Sequence, residues 1–286
     1  MVSAAVSKIR MVPVLTRISP ETTPAFESGV ALAEATVNVP PVRRSVTPAM
    51  TPTLSEAARW FRQAAEQGNA RAQFNLATMY SNGQGVPRDY AEAVKWYKMA
   101  ADQNHAGAQY NLGMMYSEGR GVAQNEAEAM ALMRGAATGG HAGAQFNLAM
   151  WHAKGQGVPP NDTEAVRWAR LAADQGHVLA QYNLGILYAN GKGVARSDEE
   201  AAKWYRRAAD QGYALAQSSL GLQYFNGRGV PRDLVQALVW LGLAATRGDA
   251  KASKDRETAA AQATPAQLAE ADKLVREWKP TPNAAR

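Results

Sequence analysis

The sequence predicts an all-α solenoid, and three observations support this prediction. A segment that reads SNGQGVPRD at residues 81–89 returns in related forms every 36 residues. Alanine is abundant and strand-forming residues are not, which favours helices. A period of this length is typical of repeat proteins, in which stacked units bury one continuous core. We therefore expect six helix-turn-helix units of 36 residues followed by a C-terminal capping helix.

The repeated glycine segment is predicted to be an interhelical turn. Its first glycine stands at Gly83, Gly119, Gly155, Gly191 and Gly227. A phosphate-binding loop would follow a strand and carry further glycine or a Lys-Ser/Thr pair, and these copies carry neither. Glycine adopts positive φ at little cost, which suits a turn that reverses the chain between antiparallel helices.

The first helix of each unit begins at a predicted capping box. An oxygen-bearing N-cap and Glu or Gln at N3 satisfy two backbone donors reciprocally. The six N-cap residues are Thr53, Asp89, Asn125, Asn161, Ser197 and Asp233. The helix is expected to stop at Gly or Asn, which tolerate the left-handed conformation after a C-terminus. These residues are Gly68, Asn104, Gly140, Gly176, Gly212 and Gly248.

The remaining boundaries follow from composition and capping signals. Residues 1–52 contain seven prolines and no sustained periodicity, so we predict a disordered or loosely ordered arm. The six units occupy residues 53–263. A further capping box at Thr264, with Pro265 at N1, starts a predicted capping helix over residues 264–279. Residues 280–286 form a tail.

Bulk composition excludes some classes of protein and leaves others open. The net charge of +6 and the pI of about 9.5 are compatible with polyanion binding but do not establish it. The absence of cysteine excludes disulfides and thiolate metal sites. No apolar run approaches the roughly 20 residues of a membrane span. The N-terminus lacks a clean apolar signal core, which favours a cytoplasmic location over export without deciding between them.

Three motifs carry a family resemblance. They are the Ala-Gln-(Tyr/Phe)-Asn-Leu-(Gly/Ala) segment, the Gly-x-Gly-Val turn and the Glu-Ala-x-x-Trp-(Tyr/Phe) helix, recurring in register over residues 53–278. They resemble the Sel1-like repeat family, relatives of the 34-residue tetratricopeptide repeats. The resemblance implies a right-handed α/α superhelix and an adaptor role in signalling and assembly complexes. One branch is cysteine-rich, with reported penicillin binding, and its activity does not carry over to a chain without cysteine.

Two basic rows follow the outer arc of the first helices. They are able to hold an acidic peptide, a nucleic acid or another anionic polymer. Acidic residues lie three positions before the first row and four positions after the second, so we favour a mixed, solvated face with pairs worth about 0.2–0.5 kcal/mol each. The first row is Arg59, Lys95, Arg167 and Lys203, and the second is Arg62, Lys98, Arg134, Arg170 and Arg206.

The third unit departs most from the others. Leu132 replaces the recurring Trp, and Met130, Met133 and Trp151 lie near it in the repeat pattern. A flexible Met-rich surface suits adaptable protein binding. The alternative is a core repacked around the missing Trp.

The histidines do not form a catalytic or metal-binding pattern. His105, His141 and His177 occupy one column after the helix stop, and no carboxylate or cysteine recurs beside them. We interpret them as loop histidines rather than metal ligands. No Ser/His/Asp arrangement, carboxylate pair or nucleotide fingerprint is found. The sequence therefore predicts no catalytic residue, metal or cofactor.

The leading functional hypothesis is a non-enzymatic adaptor. It would bind a protein or peptide in the concave groove through variable positions of the first helices. The alternatives are polyanion binding through the basic rows, with nucleic acid the less favoured ligand, and a weak hydrolase or penicillin-binding activity. The partner's identity and the oligomeric state stay open.

Overall fold

A computed structural model describes residues 53–281, and the regular secondary structure of this part of the chain is entirely helical. Successive helices pack against one another along the chain, which confirms the all-α solenoid. The predicted arm at residues 1–52 and the end of the tail lie outside the described residues. The helices are α1 Leu54–Glu66, α2 Ala70–Asn82, α3 Tyr90–Asp102, α4 Ala106–Glu118, α5 Glu126–Thr138, α6 Ala142–Lys154, α7 Asp162–Asp174, α8 Val178–Asn190, α9 Asp198–Asp210, α10 Ala214–Asn226, α11 Leu234–Thr246, α12 Ala250–Ala260 and α13 Pro265–Glu277.

The predicted N-caps of α3, α5, α7, α9 and α11 form, but the reciprocal half of the capping box needs correction. From α3 to α11, each odd-numbered helix has an N-cap side chain that accepts from a backbone N–H of the first turn. Both halves of the box are present in α13. In α3, Glu92 instead accepts from Lys95 and from Trp96 Nε1. The N3 carboxylate bonds forward along the helix because a cation and an indole lie on that face.

The glycine segment is an interhelical turn, as predicted. Gly83 ends α2 with φ of 71°, and its N–H donates to the carbonyl of Met79. Gly85 also has φ of 71°, and a β-carbon there would overlap the backbone of Leu54 at the start of α1. Glycine is therefore required at position 85 for two reasons: the left-handed backbone conformation and the close approach of another helix.

The tryptophan column joins neighbouring units. Trp96 is 4% exposed and belongs to a core that includes Ala65, Leu76 and Tyr80 of the preceding unit. The Trp residues of later units are similarly buried. Trp60 occupies the same column but is 73% exposed, because no unit precedes α1 in the described residues.

A buried glutamine column provides a second link between units. Gln145 Nε2 donates to the carbonyl of Ala137 at 3.1 Å, and its Oε1 accepts from Gln175 of the next unit at 2.7 Å. The carbonyl lies at the end of a helix, where it has no intrahelical partner. The same arrangement recurs at Gln73, Gln181 and Gln217, with Arg247 as the donor in the last case.

The third unit breaks this column. Gly139 stands where other units place the donating side chain, so Gln109 receives no such bond from it. Gln109 still donates to the carbonyl of Ala101, at the longer distance of 3.4 Å. The junction between the second and third units therefore lacks this hydrogen bond of the glutamine column.

The C-terminal helix covers the last unit, as expected of a capping helix. α13 packs on α11, where Val239 and Leu243 are buried. Arg256 forms an ion pair with Asp272, and Arg247 lies over the Trp278 ring at 4.7 Å. Apolar side chains of the sixth unit are therefore covered by the chain's own terminal helix.

Replacing Trp96 by alanine is expected to lower the free energy of unfolding by about 3–5 kcal/mol, since a buried Trp leaves a large cavity. Trp60→Ala is the matched control in the same column, and we expect it to cost less than about 0.5 kcal/mol. Urea denaturation followed by circular dichroism measures both values. Equal losses would show that the column does not act through contacts between units.

Replacing Gln145 by leucine is expected to cost about 1–3 kcal/mol, because a buried carbonyl and the Gln175 amide both lose a partner. Gln109→Leu is expected to cost less, since its column bond is already missing. Urea unfolding of the two variants checks the order. A larger loss for Gln109→Leu would contradict the proposed role of the column.

Candidate functional site

The first basic row is largely paired, as the sequence predicts. Three of its members form ion pairs with the glutamate three residues earlier: Lys95–Glu92 at 3.4 Å, Arg167–Glu164 at 2.8 Å and Lys203–Glu200 at 2.6 Å. The hydrogen bond from Arg167 holds the pKa of Glu164 below its usual value. Arg59 lies exposed on α1. Because each pair is exposed, it adds little stability, but it does neutralise the row.

The second basic row makes contacts other than the predicted ion pairs. Arg62 and Arg170 donate to the hydroxyl groups of Tyr80 and Tyr188, and each guanidinium lies over the same ring. Arg206 repeats this contact with the corresponding tyrosine of its unit, Tyr224. The predicted i,i+4 ion pairs with this row are therefore wrong for these three arginines. A ring on the neighbouring helix offers both a hydrogen bond and a cation–π contact.

The remaining members of this row have no tyrosine contact of this kind. Lys98 and Arg134 are exposed on α3 and α5. His152 takes the tyrosine position opposite Arg134, and its buried Nδ1 has no hydrogen-bond partner in the described residues. The row is thus uneven along the solenoid.

The methionines of the third unit lie mainly inside it. Met133 is 1% exposed, and Met150 is also buried. Met130 is half-buried beside the turn glycine Gly157, and Trp151 is half-buried on α6. This placement matches the repacked-core alternative better than an adaptable surface, because a partner cannot reach Met133 without opening the core.

The histidine column has a role that the sequence did not reveal. His105, His141 and His177 are N-caps of α4, α6 and α8, and each Nδ1 accepts from a backbone N–H at 3.2 Å. Each ring stacks on an aromatic ring of the preceding unit. The pairs are His105–Phe74, His141–Tyr110 and His177–Phe146, with ring centroids 4.7, 4.3 and 4.8 Å apart.

Burial shifts the titration of this column. It lowers the pKa of all three histidines, and it lowers the pKa of His177 to about 4. The side chains are therefore neutral at pH 7. Their Nδ1 atoms accept from the backbone, so the three histidines stabilise the first turns of α4, α6 and α8.

An open groove lies between α2 and α4, with Tyr97 of α3 in its wall. Its volume is about 300 Å³. The lining includes Thr78, Tyr110, Asn111 and Met114. Glu118 and Arg120 at its edge form an ion pair at 2.7 Å. The groove is therefore polar and has no net formal charge. It lies between second helices, whereas the sequence pointed to positions on the first helices.

A chain of hydrogen bonds orders the wall of this groove. Thr78 Oγ1 donates to the carbonyl of Phe74 at 2.9 Å, so it accepts from the hydroxyl of Tyr97 at 3.0 Å. Tyr97 Oη in turn accepts from Asn111 Nδ2 at 3.0 Å. Burial raises the pKa of Tyr97, which keeps its hydroxyl protonated. The chain thus fixes the orientation of the Asn111 amide.

The Sel1 repeat matches residues 54–69, 70–105, 106–141, 142–177, 178–213 and 214–249. The chain belongs to the Sel1 repeat family. The matched units begin at the second helix of each predicted unit, and the first match covers α1 alone. Sel1 repeat proteins are generally scaffolds that bind other proteins.

Solved structures support the same fold. A Sel1 repeat protein from Oxalobacter formigenes is 30% identical, with a TM-score of 0.63, and the match covers 79% of this chain and 100% of that one. A protective antigen of uropathogenic Escherichia coli with this fold is 31% identical, with a TM-score of 0.55 over 79% of this chain. The chain spans 56% of that antigen's length. No curated protein matches the chain.

Between residues 53 and 281, no helix is long and apolar enough to cross a membrane. The same residues contain no group of three or more His, Asp or Glu side chains placed to hold a metal ion. The groove between α2 and α4, whose wall holds the hydrogen-bonded Thr78, Tyr97 and Asn111, is the candidate site.

Sequence reasoning missed this groove, although a signal was available. The asparagine of the repeated Ala-Gln-(Tyr/Phe)-Asn-Leu-(Gly/Ala) segment forms a column that the sequence shows. The residues that face this asparagine differ between units. Tyr97 and Thr78 precede Asn111, whereas Met133 precedes Asn147. Comparing the asparagine column with the columns that hold Tyr97 and Thr78 would have shown that the second unit differs from the third.

Lowering the pH from about 6.5 towards 4 is expected to destabilise the protein. The unfolded state then binds protons that folded His177 does not, so stability present above the ordinary histidine pKa is lost. We expect a loss of about 1–3 kcal/mol from this site, measured by urea unfolding between pH 7.5 and 4.5.

The matched variant is His177→Asn, because Asn69 caps α2 in the same way without titrating. We expect this variant to be less stable at pH 7.5 but to lose less stability on acidification. An unchanged pH dependence would contradict the assignment to His177.

Proposed function

We propose that this Sel1 repeat protein is a non-enzymatic scaffold that binds a protein or peptide partner on the surface of the solenoid. The observation that supports it most is the open groove between α2 and α4, whose hydrogen-bonding groups are held in place. A rigid array of stacked units keeps such a surface ordered before binding, which lowers the entropic cost of association. The two similar structures come from bacteria, which supports a bacterial signalling, envelope or assembly role.

The arrangement of titratable groups supports the absence of catalysis. The three column histidines use their Nδ1 atoms as helix caps and their rings as stacking surfaces. The carboxylates of the first-row ion pairs are committed to neighbouring cations and to a Trp N–H. A general base needs a free acceptor within reach of substrate, and these groups do not provide one.

Polyanion binding has less support. Three cations of the first row pair with carboxylates, and three arginines of the second row rest on tyrosines. The ion pairs reduce the net positive charge that a phosphate would meet. The tyrosine contacts restrict the movement of the arginine side chains. The groove adds only Arg120 as a cation, and Glu118 neutralises it.

Chemical cross-linking of the full chain in its native lysate, followed by mass spectrometry, tests the proposal. We expect reproducible cross-links from one protein partner to residues of the solenoid. The same partner, purified, should bind with a shallow salt dependence, because few phosphate-like contacts form. The variant pair Arg62→Glu and Arg170→Glu should leave that affinity within about threefold.

Two results would contradict this. A purified partner that does not bind the chain directly would remove the scaffold role. Retention on heparin with a logarithmic salt slope steeper than about −5, lost in the same variant pair, would favour the polyanion alternative.

A further inference from the structure

The chain continues beyond its last helix as a short extended segment that packs back on the solenoid. α13 ends at Glu277, and Trp278 has the extended backbone angles φ −65° and ψ 137°. Pro280 has no backbone N–H and disfavours helical angles at the residue before it, so the chain does not continue as a helix. We call residues 278–281 the C-terminal segment.

Two contacts hold the C-terminal segment at the junction of the fifth and sixth units. The Arg247 guanidinium lies over the Trp278 ring, with its carbon 4.7 Å from the ring centroid. A β-carbon at Gly212 would lie 3.6 Å from the same ring, so the ring also rests against this turn. Three residues after the ring, the Thr281 N–H donates to the carbonyl of Asp210 at 2.8 Å. The segment thus binds through one aromatic ring and one main-chain N–H.

The surface that receives the segment consists of Asp210, Gly212 and Arg247, and we call it the cradle. The Asp210 carbonyl lies at the C-terminal end of α9, where a helix leaves carbonyl groups without intrahelical partners. Gly212 has φ of 88°, which favours glycine, and its lack of a side chain leaves room for the ring. The cradle therefore offers a main-chain acceptor, a space for a ring and a cation.

The cradle does not depend on the C-terminal segment for its shape. Arg247 Nη1 donates to the carbonyl of Leu243 at 3.1 Å and to Gln217 Oε1 at 3.5 Å, within the glutamine column. These bonds hold the guanidinium in place whether or not Trp278 covers it. Trp278 is half-buried, and residues 279–281 are exposed. A cation–π contact and one hydrogen bond at such a site are weak enough for a competing ligand to replace.

The cation of the cradle is specific to the last junction. Arg247 is the charged member of its column, and the corresponding residues of the preceding units are Gln103, Gly139, Gln175 and Gln211. Between residues 53 and 281, the corresponding carbonyl of Asp174 receives no main-chain N–H from a distant segment. The cation and the segment that covers it therefore occur together, as expected of a site for an aromatic ring.

We propose that the cradle binds an aromatic residue in an extended segment of a partner protein, and that the C-terminal segment is an internal competitor that this partner displaces. The contacts of the C-terminal segment define the ligand, which places a ring on Arg247 and donates a main-chain N–H to Asp210 three residues later. The cradle shares no residue with the groove between α2 and α4. The inference rests on the scaffold function and adds a second site with its own regulation.

The probe is a fluorescein-labelled peptide with the sequence of residues 276–281, REWKPT, and fluorescence anisotropy measures its binding to the full-length chain. The double variant Trp278→Ala, Thr281→Pro removes both contacts of the C-terminal segment, and we call it the vacated variant. A segment tethered to the same chain acts at an effective concentration of about 1 mM. We therefore expect a Kd of about 0.1 mM for the vacated variant and binding about tenfold weaker for the unmodified chain.

Arg247→Gln in the vacated variant is the matched change. Glutamine keeps a donor for the glutamine column, as Gln211 does one unit earlier, but it removes the cation. We expect this change to weaken peptide binding about fivefold or more. The Trp278→Ala peptide is expected not to bind, and the Thr281→Pro peptide is expected to bind about fivefold more weakly. Circular dichroism and urea unfolding establish that the protein variants are folded.

The purified partner found by cross-linking is expected to bind the vacated variant about tenfold more tightly than the unmodified chain. Equal affinity of the partner for the two chains would contradict its displacement of the C-terminal segment. Equal affinity of the peptide for them would show that the segment does not compete for the cradle.

Two further results overturn the inference. No binding of the peptide to the vacated variant at about 1 mM would remove the cradle as a site, while the scaffold function, which cross-linking tests, would stand. A dimer of the unmodified chain that the vacated variant loses, measured by sedimentation velocity, would assign the C-terminal segment to a second copy instead.

Discussion

The structure depends on the need of each unit to find hydrogen-bond and packing partners in its neighbour. A helix leaves carbonyl groups without intrahelical partners at its C-terminal end, and burial makes such groups costly. The glutamine column supplies such partners: Gln145 donates to the carbonyl of Ala137 and accepts from Gln175 of the next unit. The buried Trp column adds apolar packing at the same junctions, so unit spacing is set by two kinds of contact.

Because the glutamine and tryptophan columns join the units, other positions are available for binding. Six members of the basic rows, which suggest a charged surface in the sequence, are engaged in ion pairs or lie over tyrosine rings. The histidines are occupied as caps. A neutral groove at the first junction is accessible, and in its wall Thr78, Tyr97 and Asn111 form an ordered chain. The function proposed here therefore depends on hydrogen-bonding groups rather than on net charge.

The third unit shows how a repeat accommodates change. Leu132 replaces Trp, Gly139 removes one link of the glutamine column, and Met133 fills the position of a tyrosine. Methionine fits an irregular space because its side chain is unbranched and flexible. The core closes over Met133, which is 1% exposed. The unit thus keeps its place in the solenoid without the glutamine-column bond to its predecessor.

The sequence by itself determined the architecture, because period, caps and turn glycines are local features that each unit repeats. Asp89 caps α3 and Gly83 ends α2 as the pattern predicts. Only the tertiary structure decided which side chains have partners on neighbouring helices and which are available for binding. Residues 18 positions apart, such as Arg62 and Tyr80, meet only when two helices pack. Asn111 meets Tyr97 for the same reason, and no spacing rule within one helix reports such a contact.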